Sequence, residues 1–181
     1  MIGLDNDTVL LEEHQVMWEK AAAEAISLLK SLLDGTAVDI QHVGSTSIRS
    51  ISAKPIIDIA VGVNDTEHIK QFIPLLAANG IIYRKQFWEQ HEFFVMGDLE
   101  KNIKTHHIHV IKYGGKDWCE YINFRDYLNA MPEKAEMYHA LKLQLAEKFR
   151  YDRVSYTNGK AEMIEILLEE ANCWRENQTL N

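Results

Sequence analysis

The segment that most restricts the fold is residues 55–63, a run rich in β-branched side chains with a single charge, Asp58, set inside it. Two heavy atoms on Cβ crowd a helical turn but pack well on a pleated surface, so the run reads as a strand. Ahead of it, Val38 and Ile40 alternate with Asp39 and Gln41 up to Val43, the pattern of a short half-buried strand that ends at Gly44. Residues 45–54 are small, polar and punctuated, and form a loop or short helical turn between the two. Further strands are expected at residues 81–87, 91–96 and 105–113, enough for one mixed sheet.

Helices are expected around that sheet. Residues 12–33 carry Val16, Met17, Ala21, Ala25, Ile26, Leu28, Leu29, Leu32 and Leu33 at helical spacing and stop at Gly35. A second helix is expected from an Asp65 N-cap to about Asn79, closed by Gly80 and kinked at Pro74. Beyond Gly115, Trp118, Ile122, Phe124 and Leu128 form one helical set, and Ala135, Tyr138, Leu141, Leu145 and Phe149 another, parted by Pro132. A last helix begins near Thr157 or Asn158, carries Met163, Ile164, Ile166, Leu167 and Leu168, and leads to a polar tail from Glu176. The expected class is α/β (α+β): a mixed sheet with packed helices and a helical C-terminal third, with residues 1–181 as one domain.

Composition narrows the partners. With 19 Lys plus Arg against 27 Asp plus Glu the formal net charge is −8, which repels a duplex phosphate backbone. A small anion remains compatible, because a local cluster of cations and backbone N–H groups opposes the global sign. Residues 1–9 have neither the basic nor the apolar part of a secretory signal, and the longest apolar stretch falls far short of the roughly 20 residues of a membrane span. A cytoplasmic protein without membrane contact is expected. Cys119 and Cys173 make neither a disulfide framework nor a metal-type spacing.

The chemistry concentrates at His42-Val43-Gly44-Ser45-Thr46-Ser47, where a strand end meets a glycine and three hydroxyls. Backbone N–H groups and the hydroxyls of Ser45 and Thr46 can cradle phosphate oxygens there, and Gly44 leaves room for close approach. Asp58, on the neighbouring strand, is then placed to hold a divalent cation bridging those oxygens. The plain alternative is a turn whose Ser and Thr satisfy loose backbone groups.

The segment HVGSTSIRSISAKPIIDIAVGV, residues 42–63, resembles the signature of the GrpB family within the nucleotidyltransferase superfamily. HHIHVI from His106, FRDYLNAMP from Phe124, the stretch around Leu141-Lys142 and residues 156–160 are similar to the same family, so the resemblance spans nearly the whole chain. It implies a nucleotidyltransferase-like fold, with a Gly-Ser turn on the nucleotide phosphates and two carboxylates one residue apart, joined by a third on a later strand, around two metal ions. Such a pair of ions stabilises the attacking and leaving oxygens of an in-line displacement. This chain departs from that pattern: Ile56 and Ala60 flank Asp58 at two-residue spacing, leaving one carboxylate of the pair.

Period-two alternation puts His107 and His109 on one strand face, where they can supply the missing ligands beside Asp58, with His109 also a candidate catalytic base. The expected cofactor is a divalent metal, magnesium or manganese, and imidazole ligands would favour a transition metal over magnesium. Their bland role is a hydrogen-bonded, partly buried histidine. His106 faces the other way, and His42 shares the face of Val38 and Ile40 and packs. Lys54 can place a point charge near the phosphates, and Arg125, Lys160 and, ranked behind them, Lys142 are candidates to complete an anion pocket from the helical third. Each has the alternative of a surface ion pair, Arg125 with Asp126. Trp18, Trp88, Trp118 and Trp174 read as packing residues.

Two functions follow as expectations. One is an enzyme that binds a nucleotide or similar phosphorylated small molecule and moves a nucleotidyl or phosphoryl group to a small acceptor. The other is a non-catalytic nucleotide- or coenzyme-binding regulatory module related to coenzyme A metabolism, since the resemblance implies relatives fused to dephospho-coenzyme A kinase. The chain carries no Gly-x-x-x-x-Gly-Lys-Ser/Thr run of its own.

Overall fold

The structure, a computed structural model, describes residues 1–5, 8–85 and 89–179. Its centre is a five-stranded sheet built from β2 (Ala37–Val43), β3 (Ile57–Val63), β4 (Ile82–Tyr83), β5 (His91–Met96) and β7 (His106–Lys112), in the order β2-β3-β7-β5-β4. Only β3 and β7 run parallel; β2 on β3, β5 on β7 and β4 on β5 are antiparallel. A separate two-stranded ribbon pairs β1 (Leu4–Asp5) with β6 (Ile103–Lys104).

The alternation of β3 sorts the molecule into two layers. Ile57, Ile59, Val61 and Val63 point to one face, where α1 (Val16–Leu32) lays down Trp18, Ala22, Ala25 and Leu29 at i, i+4, i+7 and i+11. Side chains of this size contribute about 1.5–3 kcal/mol each when fully buried, so this face holds the sheet and α1 together. Asp58, Ala60 and Gly62 point to the other face, which α3 (Lys116–Ala130) covers. A Cβ at Gly62 would stand 2.8 Å from the rings of Trp118 and Tyr113, so the missing side chain lets α3 close on the strand. The helical third continues with α4 (Pro132–Lys148), α5 (Arg153–Asn158) and α6 (Ala161–Thr179), whose own core joins Ile48 and Ile51 to Tyr127, Leu128, Ala135, Tyr138, Leu167 and Ala171.

Several boundaries differ from the sequence reading for local reasons. The first helix starts at Val16 and not at residue 12, because Glu12 exchanges backbone hydrogen bonds with Ala53 and its carboxylate takes the N-terminal ammonium. Pro74 does not kink a helix; it sits in the first turn of α2 (Ile73–Ala78), where its missing N–H costs nothing, and a 3₁₀ stretch fills residues 67–72. The last helical region is split at Gly159 between α5 and α6, and helix continues through Glu176 to Thr179. A register shift between Ala37 and Asp39 leaves Val38 exposed. The end of the strand expected at 81–87, and Trp88, lie outside the described residues; Trp18 and Trp118 are buried as expected.

Candidate functional site

β2 ends at Gly44, whose backbone (φ 69°, ψ −171°) belongs to a region essentially confined to glycine. A short 3₁₀ turn, Ser45–Ser47, follows, and the Ser47 hydroxyl donates to the Gly44 carbonyl at 2.6 Å. Val43 pairs with Asp58 across the β2–β3 ladder, so the glycine lies directly against the carboxylate. A Cβ at position 44 would stand 2.9 Å from the Asp58 Cβ and closer still to Oδ2. On the other side of β3, the parallel register sets Asp58 beside His107 and Ala60 beside His109.

These side chains converge. His107 Nδ1 lies 3.2 Å and His109 Nε2 3.9 Å from Asp58 Oδ1, and one ligand atom from each of the three residues falls within 4.8 Å of the others. Burial would lift the Asp58 carboxyl, but the hydrogen bonds and charge of His107 and His109 outweigh it and hold the group well below the usual carboxylate range. Burial lowers His107 from its ordinary value, with Asp58 opposing. The set is one carboxylate and two imidazoles. It fits one ion that accepts nitrogen ligands, and it does not fit a pair of hard ions, because the positions two residues either side of Asp58 are the buried apolar Ile56 and Ala60.

The cluster opens into a cavity of about 540 Å³ between the sheet and the helical third. Basic side chains share the cavity with Asp58: Lys54, Lys142, Arg153 and Lys160 line it together with Tyr138 and Tyr156. Lys142 is 1% exposed, donates to the Ser52 carbonyl at 2.7 Å and stands 5.2 Å from the centre of the Tyr138 ring. The ammonium groups of Lys54 and Lys160 lie 5.4 and 4.5 Å from the centre of the same Tyr156 ring. None of these three lysines has a carboxylate at ion-pair distance among the described residues. Burial first, then repulsion from Arg153 and Lys160, push Lys54 down to about 7; burial, then Lys160 and Lys54, push Lys142 well below its ordinary value; burial takes Lys160 to about 8 with Asp58 opposing.

The remaining sequence candidates fall apart from the cavity. Arg125 lies in a second cleft, where it donates from Nη1 to Gln41 Oε1 at 2.9 Å and to the His42 carbonyl at 3.0 Å, and from Nε to Asp126 at 2.8 Å. It ties α3 to β2 and does not face the carboxylate cluster. Thr46 is buried and shares a 2.9 Å hydrogen bond with His42, so its hydroxyl closes the turn. His42 packs on the α1 side, as its alternation implied, with burial lowering it to about 4.

Several residues of the site carry no sequence motif. His91 enters from β5 and shares a 3.0 Å hydrogen bond with His109 Nδ1; Tyr121 reaches the same nitrogen at 3.3 Å, and Asp117 and Glu120 line the cavity from α3. Burial pushes His91 down to about 4. One signal was legible: Lys142 stands at i+4 from Tyr138 and i+7 from Ala135, on the buried stripe of α4, where an apolar residue is the rule.

The mixed sheet, with a Gly-Ser turn ending β2 and Asp58 on β3, has a nucleotidyltransferase-like fold. The chain superposes on the Cid1 poly(U) polymerase bound to Mg 3′-dATP with a TM-score of 0.56 at 13% identity, over 82% of this chain and 49% of that one. Within that class the chain belongs to the GrpB family: the model described as GrpB protein matches residues 8–170. It is 39% identical to the glutamate-rich protein GrpB of Alkalihalophilus pseudofirmus, over 94% of this chain and 99% of that one. The conserved protein GrpB from Enterococcus faecalis, a crystal structure, superposes with a TM-score of 0.82 at 28% identity, covering 90% of this chain and 96% of that one. No helix among the described residues is long and apolar enough to cross a membrane.

Proposed function

We propose that this protein binds a nucleotide, or a phosphorylated small molecule of similar charge, in the cavity beside Asp58, and transfers a nucleotidyl or phosphoryl group from it to a small acceptor. The observation that carries this reading is the set of lysines. Lys142 is almost fully buried and Lys54 and Lys160 half-buried in the cavity they share with Asp58, with no carboxylate at ion-pair distance among the described residues. Desolvated ammonium groups without counter-charge are costly, and a polyanion is the ligand that offsets the cost. The cavity volume suits such a ligand, since small-molecule sites span roughly 300–1,000 Å³.

In this arrangement Gly44 admits the ligand close to Asp58, and the backbone after it offers N–H groups to phosphate oxygens. Lys54, Lys142 and Lys160 hold the oxygens farther from the carboxylate. Asp58, His107 and His109 would hold one divalent ion, which supplies charge stabilisation to the phosphoryl oxygens when bound. Calorimetry with nucleoside triphosphates, with and without manganese or zinc, followed by incubation of α-labelled triphosphate with a metabolite pool, tests the reading. Saturable binding, with transfer lost in Asp58→Ala, is expected; turnover unchanged in that variant, or no binding across the panel, would overturn it.

The single carboxylate of the Asp58–His107–His109 cluster favours a second reading, a binding module that keeps the anion pocket without transfer chemistry. Binding that is indifferent to metal, with no turnover, selects it, and including coenzyme A intermediates in the panel tests the coenzyme-related form.

A further inference from the structure

We propose that His91 is a positioning residue for the ion site, holding the proton of His109 on Nδ1 so that Nε2 presents its lone pair toward Asp58 and His107. This rests on the reading above that Asp58, His107 and His109 hold a single ion. A neutral imidazole has one donor and one acceptor nitrogen, so the partner of one nitrogen decides what the other can do. A neutral His109 serves as a ligand through Nε2 when Nδ1 carries the proton, and an acceptor placed at Nδ1 favours that tautomer.

The geometry supplies that acceptor. His91 Nε2 is 3.0 Å from His109 Nδ1, nearer than the Tyr121 hydroxyl, which lies 3.3 Å from the same nitrogen. The other nitrogen of His91, Nδ1, has Asp117 Oδ2 at 3.7 Å, too long for a good hydrogen bond but near enough for the negative charge to favour a proton on that side. A proton on His91 Nδ1 leaves its Nε2 as an acceptor, which in turn keeps the His109 proton on Nδ1. The His109 ring is also caged: the rings of His91, Phe93 and Tyr121 each have their centres 5.1 Å from its own. Packing therefore fixes where the ring sits, and His91 fixes which nitrogen faces the cavity with its lone pair. Outer partners of this kind orient metal-binding imidazoles and raise their basicity, and their loss weakens metal affinity by roughly 10–100-fold.

The test is zinc titration of the full chain by calorimetry, in the wild-type protein and in His91→Phe and His91→Gln, with thermal unfolding of each as the check on folding. Phe keeps a flat ring in the cage but accepts no hydrogen bond; Gln can accept one. The expected result is zinc affinity reduced about 10–100-fold in His91→Phe and largely retained in His91→Gln, with Asp58→Ala reduced at least as far as His91→Phe. In the zinc-loaded wild type, ¹⁵N-correlated NMR of the His109 ring should show the proton on Nδ1. Equal affinity in wild type and His91→Phe, equal losses in Phe and Gln, or a zinc-loaded His109 with its proton on Nε2 would overturn the proposal while leaving the ion site standing. Failure of the wild type to take up zinc, manganese or cobalt would remove the ion reading and this inference together.

Discussion

Gly44 shapes the site by having no side chain to place against Asp58, whose Cβ would stand 2.9 Å from a Cβ built there. Gly44→Ala forces a Cβ into the carboxylate and holds a non-glycine residue in a conformation that costs about 1–3 kcal/mol. Chemical denaturation should show a loss of at least that size, and phosphorylated ligands should no longer bind. Lys142 is the opposite case, a buried basic side chain whose desolvation costs the fold more than its bond to the Ser52 carbonyl is expected to return. Lys142→Met keeps the length and removes the buried charge, so the ligand-free protein is expected to unfold at an equal or higher temperature while affinity for a triphosphate falls by roughly tenfold or more. A drop in stability without a drop in affinity would assign Lys142 to the fold alone.

At the level of elements, α3, which covers the face of the sheet that carries Asp58, is fastened to β2. Arg125 makes that connection through Gln41 and the His42 carbonyl, while Arg175 from α6 reaches Asp126 on the same turn of α3. Arg125→Met should therefore destabilise the protein by about 1–3 kcal/mol, as expected for hydrogen bonds from a charged group, and leave triphosphate affinity within a few fold. A large loss of affinity with unchanged stability would return Arg125 to the anion pocket. The same element explains why the sequence ranked Arg125 above Lys142. Both lie in family-like segments, and a guanidinium is the better phosphate fork in isolation. Which of two basic residues faces a cavity depends on the rotation of α3 and α4 about their axes against the sheet, and the apolar pattern of α3 is too diffuse to fix that rotation.

For the molecule as a whole, stability and binding should respond to pH in opposite directions. In the folded protein Lys54 titrates near 7 and Lys160 near 8, against 10.5 for a free lysine, so above about pH 7 the unfolded chain binds more protons than the native one. Stability of the ligand-free protein accordingly rises from about pH 7 toward 10.5. A bound polyanion restores the lysine protons, so its affinity falls as pH rises through the same interval, with proton uptake on binding. Thermal unfolding and calorimetry in buffers of different ionisation enthalpy measure the two trends. On the acid side, His42 and His91 stay neutral in the folded state down to about 4 while the unfolded chain protonates them from 6.5, so stability falls across that window.

What the sequence determined by itself was local and periodic. The two-residue alternation of β3 and β7 sorted Asp58, His107 and His109 onto one face and Ile57, Ile59, Ile108 and Val110 onto the other, since a strand has no other way to place them. The Gly-Ser turn next to a β-branched run set the strand-turn-strand unit that carries Gly44 and Asp58 on the same grounds. Tertiary structure decided what no period encodes: that β7 and not β2 flanks Asp58 with imidazoles, that His91 arrives from β5 to meet His109, and that Lys142 and Lys160 close the cavity while Arg125 does not. Those contacts join residues far apart in the chain, and their register is fixed by how whole helices and strands pack, a free energy shared among many side chains and written in none of them singly.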